Sequence, residues 1–507
     1  MGSDQQASTV QVLPTAAAVV LIGSLLGAAT LCALVLSSDD AAAMRFANGT
    51  LPALLGGVCL WCGYASVRNK PLALWTPLPW FFAAWAAYYG LGPLVYVYGT
   101  PETVAYMDTL YPLDGRALLR TNLLNAVGLS AVVSGFALAY RVRLGATSRA
   151  ETAPAHSAWR VALLFLALGV PVKYLFELPY VLGLSSYVLP GSVQYLGTFS
   201  GLAILPLSVA AAEHRRGARL LLWGLIAAEV IVGFVMLAKL HIIKTVLLVF
   251  LGQYAVRPNL KRLIATGLLV AVAYVAVLSP FVNYTRILLG RASAQDLAEL
   301  ITAAGSYGVA GRETLADLLP GVQGWWSRLA YPNAQAFAMD QYDQGKPGWT
   351  FGMVGYVFVP RFLREDKPIM TPGVDFTYLI KGTDTSSTGL GFVGEAYWNG
   401  GWLLVVLVGG FVGLLFAVIG RFSLNAIRSR QWLYVPLIFQ AIYLGLRPDD
   451  WFVPAYIGGV LQVVIVTLIL HAGLAAMVRR RKDADAVARR VSDSRPTLSL
   501  HGGGDVS

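Results

Sequence analysis

The sequence predicts an all-α polytopic membrane protein with about twelve transmembrane helices and one large extracytoplasmic helical loop. Three observations lead there. The chain of 507 residues is 56% hydrophobic and only 13% charged, too little charge to coat a soluble fold of this size. Its apolar residues gather in long runs. Its 38 lysines and arginines, against 27 acidic residues, crowd into short connections between those runs.

Twelve apolar segments lie at 11–36, 51–67, 75–98, 118–140, 159–183, 196–213, 220–238, 243–256, 262–282, 401–420, 432–446 and 452–474. About 20 residues cross the hydrocarbon core, so the eighth and eleventh segments are short. The first run is too long for a cleavable signal peptide and lacks a basic leader. Alternate connections hold Arg68 and Lys70, then Arg141, Arg143 and Arg149, then Arg215, Arg216 and Arg219. Arg257, Lys261 and Arg262, then Arg421, Arg428 and Arg430, continue the series, and the tail RRRKDADAVARR belongs to the same side. The positive-inside rule makes these connections cytoplasmic and puts both termini inside.

Four regions follow: 1–282 with nine helices, a periplasmic loop over 283–400, three helices over 401–475, and a basic tail over 476–507. The Ser- and Gly-rich end of the tail reads as disordered. A loop this long carries function more often than not. Within it, SAQDLAELITAA and ETLADLL repeat leucines on one helical face, and GWWSRLAYPNAQAFAMDQYDQG has the aromatic character of the membrane interface. These patterns predict a small cap on the outer ends of the bundle. The loop holds nine cations against eleven anions, which removes any electrostatic support for nucleic-acid binding.

Several cations nevertheless sit at outer helix ends. Arg286 and Arg291 follow the ninth segment, and the run VPRFLREDKP puts Arg361, Arg364 and Lys367 ahead of the tenth. AKLHIIKT supplies Lys239, His241 and Lys244, while Arg447 opens RPDDW before the last span. Each has a local explanation as a solvated or headgroup-facing charge: Arg447 can pair with Asp449 or Asp450, and Arg364 with Glu365 or Asp366. Together they match an anionic group such as a lipid diphosphate, for which arginine offers a planar fork and lysine a compact charge. Inside the spans, Lys173 and Glu177 are four apart and share a helix face as an ion pair. Glu229 has no local cation, so it is protonated or paired with another helix. Cys59 and Cys62 form a CxxC without further ligands, Asp449–Asp450 alone is too little, and no metal or cofactor is expected. GLGFVG at 389–394 satisfies GxGxxG, but no strand precedes it; its glycines suit tight turns and close approach at a helix entrance.

The stretch GYVFVPRFLREDKP, then TSSTGLGFVGEAYWNGG and an apolar span, resembles the bacterial O-antigen or oligosaccharide repeat-unit polymerases. The matching positions are Pro360, Arg361, Lys367, Pro368, Glu395, Ala396, Tyr397, Asn399 and Gly400, with Lys244–Thr245 similar to a helix start found in such polymerases. The resemblance implies a bundle like that of the polyprenyl-phosphate-dependent (GT-C-like) glycosyltransferases. It implies joining of undecaprenyl-diphosphate-linked oligosaccharides at the outer face of the bacterial inner membrane, with a flippase and a chain-length regulator as partners. On this reading Arg361 and Glu395 are catalytic, Glu395 as the base; its other reading is a carboxylate at a helix N-terminus. Lys244, Arg286 and Arg291 hold the diphosphate, then Lys239, Arg364, Lys367 and Arg447. His241, Asp449 and Asp450 are reserve bases, and Tyr397 stacks on sugar. The related O-antigen ligases, which often carry a histidine in the large loop that this chain lacks, and a transporter or flippase for lipid-linked sugars are the alternatives.

Overall fold

The computed structural model describes residues 15–38, 40–142, 157–187, 189, 191–289, 302, 305–307, 321–359, 363–364, 367–384, 386–473 and 476. SAQDLAELITAA and ETLADLL fall almost wholly outside them. Every regular element among the described residues is helical.

Among the described residues ten helices are long and apolar enough to cross a membrane, so the chain is a polytopic membrane protein. We number the principal helices in chain order. They begin with α1 (Thr15–Leu36), α2 (Ala41–Asn69), α3 (Pro77–Trp85) and α4 (Gly115–Arg141). Next come α5 (Ala158–Val181), α6 (Val193–Ala212), α7 (Ala218–Val235), α8 (Lys239–Val256) and α9 (Leu260–Thr285). The last five are α10 (Pro332–Asp343), α11 (Pro372–Lys381), α12 (Gly391–Arg428), α13 (Trp432–Leu446) and α14 (Phe452–Gly473).

Two of the twelve expected spans are helical without being long enough. The segment 75–98 is cut into α3, a π-helical turn over Ala86–Leu91 and two shorter pieces, with Gly90, Gly92 and Pro93 at the break. The segment 432–446 is α13, which ends where Arg447 and Pro448 leave the helix.

Side-chain caps fix several helix starts. Asp40 accepts from the Ala42 amide at 2.8 Å, Asp114 from Ala117 at 2.6 Å, and Asn259 from Arg262 at 3.0 Å. The helices build two large apolar cores and two small ones among the described residues. One large core joins α1, α2, α3, α4, α12 and α14 around Phe81, Trp85, Phe392 and Phe416. The other joins α5, α6, α7, α8 and α13 around Phe165, Phe199 and Ile438. α9 lies outside both large cores over most of its length.

Lipid tails are as apolar as leucine, so helices in a membrane gain from backbones that approach closely. α4 and α12 do so along a seam of glycines: a Cβ on Gly135 would overlap the Gly410 carbonyl, and one on Gly413 the Val132 carbonyl. The same seam exposes a reversal. Val393 and Gly409 both lie against Gly128, so the chain folds back at Gly400–Gly401, where Gly401 takes φ +63. The segment 391–399 is thus a half-helix returning beside its own continuation, and the tenth crossing begins at the expected residue 401.

The seam sets a test. Gly413→Val should lower the melting temperature in detergent, by about 1–3 kcal/mol of stability for an overpacked contact. Gly57→Ala, inside α2 with open space around it, should leave melting unchanged or raise it slightly.

Candidate functional site

The arginine-rich connections mark one end of the bundle. Towards the opposite end, α5, α6, α7 and α8 bring together a polar assembly from four separate stretches of sequence. Its centre is Glu229, fully buried in α7. Lys173 Nζ lies 2.5 Å from Glu229 Oε2, and His241 Nε2 lies 2.7 Å from the same oxygen. Tyr174 donates to Oε1 at 3.0 Å and Ser200 at 2.7 Å. Lys173 comes from a π-helical turn, Pro171–Glu177, a distortion that often marks function.

The expected Lys173–Glu177 pair is replaced by a bond to another helix. The Glu177 carboxylate packs instead against Gly197 of α6, while Lys173 reaches Glu229. A buried ammonium is satisfied better by a carboxylate with three further donors than by one on its own helix. The question left open for Glu229 is answered at the same time: its partner is on α5.

Lys244 adjoins this group. Its Nζ and Glu229 Oε2 both lie within 4 Å of the space above Gly201, and it has no hydrogen bond or ion pair among the described residues. His241 Nε2 also lies 3.0 Å from Lys173 Nζ, so this ring nitrogen stands between the ammonium and the carboxylate while Nδ1 faces away from both. Nδ1 has no partner among the described residues, and the His241 side chain is 15% exposed. A furrow of about 660 Å³ between α5 and α7, lined by Val170, Leu221, Gly224 and Leu225, ends at Tyr174.

A second assembly lies where α13 meets α14. Arg447 binds Asp449 at 3.0 Å and Asp450 at 3.5 Å, and it donates to the Tyr443 hydroxyl at 3.3 Å. Tyr331 donates to the other Asp449 oxygen at 3.1 Å, and Asp450 accepts from the Trp451 amide at 2.9 Å. Burial raises the Asp450 carboxyl above its ordinary range, while Arg447 pulls it down. The local pairing weighed for Arg447 is therefore the observed one. Glu395 is fully buried and accepts the Phe452 amide, so it caps α14 from a different helix. Gly391, at φ +68, lets Tyr89 and the Pro448 carbonyl reach the start of α12, and its amide bonds the Asp449 carbonyl at 3.0 Å. That glycine-rich helix start is closed by protein groups.

No family model, curated protein or solved structure matches this chain.

The remaining expected residues are dispersed. Tyr397 is buried, and its hydroxyl donates to Asp343 at 3.0 Å in a network with Arg120, away from both assemblies. Lys239 ties α8 to the helix that follows it, donating to Ser279 at 3.0 Å and to Asn283 at 2.9 Å. Lys367 donates to the Val359 carbonyl at 3.0 Å, and Arg364 lies 5.0 Å over the Tyr356 ring. Arg361 and Arg291 lie outside the described residues, as does the side chain of Arg286. Among the described residues, Lys244 is the one expected diphosphate-binding cation that joins His241 and Lys173 around Glu229, and no group of three metal-ligating side chains occurs. Tyr174 and Ser200 went unnoticed in the sequence; Ser200, polar inside an apolar run and flanked by Gly197 and Gly201, was the available signal.

Glu229→Gln should cost about 3 kcal/mol or more, because Lys173 then keeps its charge without a counter-charge. Glu229→Leu with Lys173→Met should recover most of that loss. Thermal unfolding of the purified variants in detergent decides it.

Proposed function

We propose that this protein is a membrane glycosyltransferase that polymerises oligosaccharide repeat units carried on undecaprenyl diphosphate. In this reading it resides in the bacterial inner membrane, with both termini cytoplasmic and the polar assembly towards the periplasmic side. One observation carries the reading: a histidine oriented by a buried carboxylate stands beside a lysine with no hydrogen bond among the described residues, and Tyr174 links that carboxylate to an apolar furrow. The resemblance of 355–368 and 385–401 to the repeat-unit polymerases supports the same class.

The chemistry follows from those groups. The bond between the sugar anomeric carbon and its phosphate oxygen breaks, and the electron pair leaves with the diphosphate. Lys244 stabilises the charge that gathers there, with Lys239 and the cations of 361–367 as further candidates. The acceptor hydroxyl forms the new bond and gives its proton to His241 Nδ1, while Glu229 holds Nε2–H and stabilises the imidazolium. The lipid tail runs along the furrow between α5 and α7. Glu395, buried with one oxygen on the Phe452 amide of α14, keeps a positioning role, and the base assignment passes to His241.

A transporter of lipid-linked sugars is favoured by a separate observation. The helices carry π-helical stretches at Ala86–Leu91, Pro171–Glu177, Tyr274–Leu278 and Phe452–Gly459, and the chain reverses at Gly400–Gly401.

Purified protein given lipid-linked repeat units in detergent should build longer sugar ladders without any gradient. His241→Gln should slow extension by about 10²-fold or more, the scale of a lost general base. Lys244→Met and Arg361→Ala should weaken use of the diphosphate donor. Glu395→Gln should lower the melting temperature more than the rate per folded molecule. Absence of ladders, together with lipid-linked sugar crossing liposome bilayers, would establish transport instead.

A further inference from the structure

The arginine-rich end of the bundle holds a feature that glycosyl transfer does not use. A pocket of about 340 Å³ opens between α6, α7, α8 and α9, and Arg219, Arg257, Arg262 and His214 line it. Loop arginines at a membrane surface normally report orientation and nothing more. These three differ in converging on one hollow from three helix ends. Among the described residues none of them has a carboxylate within ion-pair distance; Arg219 instead meets His214 Nδ1 at 3.1 Å. The nearby Glu213 is engaged by Arg430 at 3.5 Å.

The floor of the pocket is also polar and unsatisfied. Ser208 is 1% exposed, and among the described residues its hydroxyl has no hydrogen-bond partner; neither has Gln253 Oε1, which is shielded from solvent. A buried hydroxyl without a partner costs free energy, and a ligand oxygen or an accompanying water would satisfy it. The pocket thus offers guanidinium forks at its mouth and a hydroxyl donor at its base, a donor set that suits a phosphate.

The hollow does not end there. Phe250 and Leu263 line both this pocket and an apolar cleft of about 520 Å³ bounded by α2, α3, α8 and α9. From Ile243 to Phe250 the cleft follows α8 for roughly 10 Å at 1.5 Å per residue, a length suited to much of one acyl chain. Its α9 wall includes Ile264, Gly267 and Val270 from a helix whose side chains are hardly buried by protein. A free anion would use the pocket and leave the cleft without purpose. A molecule with an anionic head and an apolar tail uses both.

We infer that this site binds one anionic phospholipid, its phosphate held by Arg219, Arg257 and Arg262 and one acyl chain laid in the cleft between α8 and α9. The lipid fastens α9 to the bundle where protein contacts are few. The site stands apart from the assembly around Glu229 and does not depend on the glycosyltransferase reading.

Native mass spectrometry and thermal unfolding of the full-length protein test this, with phosphatidylglycerol, phosphatidylcholine or inorganic phosphate as the added probe. Wild type should retain one phosphatidylglycerol at least tenfold more tightly than phosphatidylcholine and should melt higher with it. Arg219→Gln, Arg257→Gln and Arg262→Gln together should remove the preference; these side chains are exposed, so folding is not at stake. Gly267→Trp, which fills open space in the cleft, should weaken phosphatidylglycerol retention while sparing inorganic phosphate. Equal retention of the two lipids by wild type, or unchanged preference in the triple variant, overturns the inference. Stabilisation by inorganic phosphate equal to that by phosphatidylglycerol, with no effect of Gly267→Trp, overturns the lipid and leaves a simple anion site.

Discussion

Glu229 is where the second half of the bundle is decided. A carboxylate amid lipid-embedded helices is tolerable only when each oxygen is met by donors. Here Lys173 and His241 meet one oxygen, and Tyr174 and Ser200 the other. Those donors arrive from α5, α6 and α8, so satisfying one side chain positions four helices at once. The requirement is directional where apolar packing is not: sliding α8 along α7 by a single turn would carry His241 some 5 Å away from its acceptor.

The other half depends on a different constraint, closeness of backbones. The α4–α12 seam has no room for side chains, and the reversal at Gly400–Gly401 lets a half-helix return against the same α4 residues. A half-helix leaves its terminal groups inside protein, where water cannot satisfy them. At its start the Gly391 amide bonds the Asp449 carbonyl; in return Glu395 and Asp450 take the amides that open α14, and Arg447 holds Asp450 in place. The cations and carboxylates around 447–450 are thus committed to closing chain ends. The two halves meet where a Cβ on Gly445 of α13 would overlap the Pro77 carbonyl at the start of α3.

Much of this was legible in the sequence, and the illegible part has a common cause. Apolar runs located the long helices, because burial in lipid demands continuity along the chain. The Arg447–Asp449 pair was readable because its members are two residues apart. His241 and Lys244 are three apart in one helix, and so were rightly grouped. The partner of Lys173 was not readable, since Glu177 stands on the same helix and Glu229 is 56 residues away. Nor did anything local separate Glu395 as base from Glu395 as cap: the amide it accepts belongs to Phe452. The break in 75–98 carried a signal, with Gly90, Gly92 and Pro93 close together, but hydropathy averaged over a window hides it.

The two proposed anion sites lie at opposite ends of one helix, α8, and its charge is distributed accordingly. Its first six residues carry Lys239, His241 and Lys244, its end is followed by Arg257, and its middle is apolar. Lys239 is bonded to Ser279 and Asn283, which leaves Lys244 as the α8 cation beside Glu229 with no hydrogen bond or ion pair among the described residues. At the other end Arg257 points into a hollow with two more arginines. A helix whose only task was to span would place its cations towards the side that the positive-inside rule favours and nothing at the far end. Lys244 contradicts that economy: a lysine held near the start of a membrane helix, beside a carboxylate already satisfied by four other donors, is costly unless something anionic comes to it.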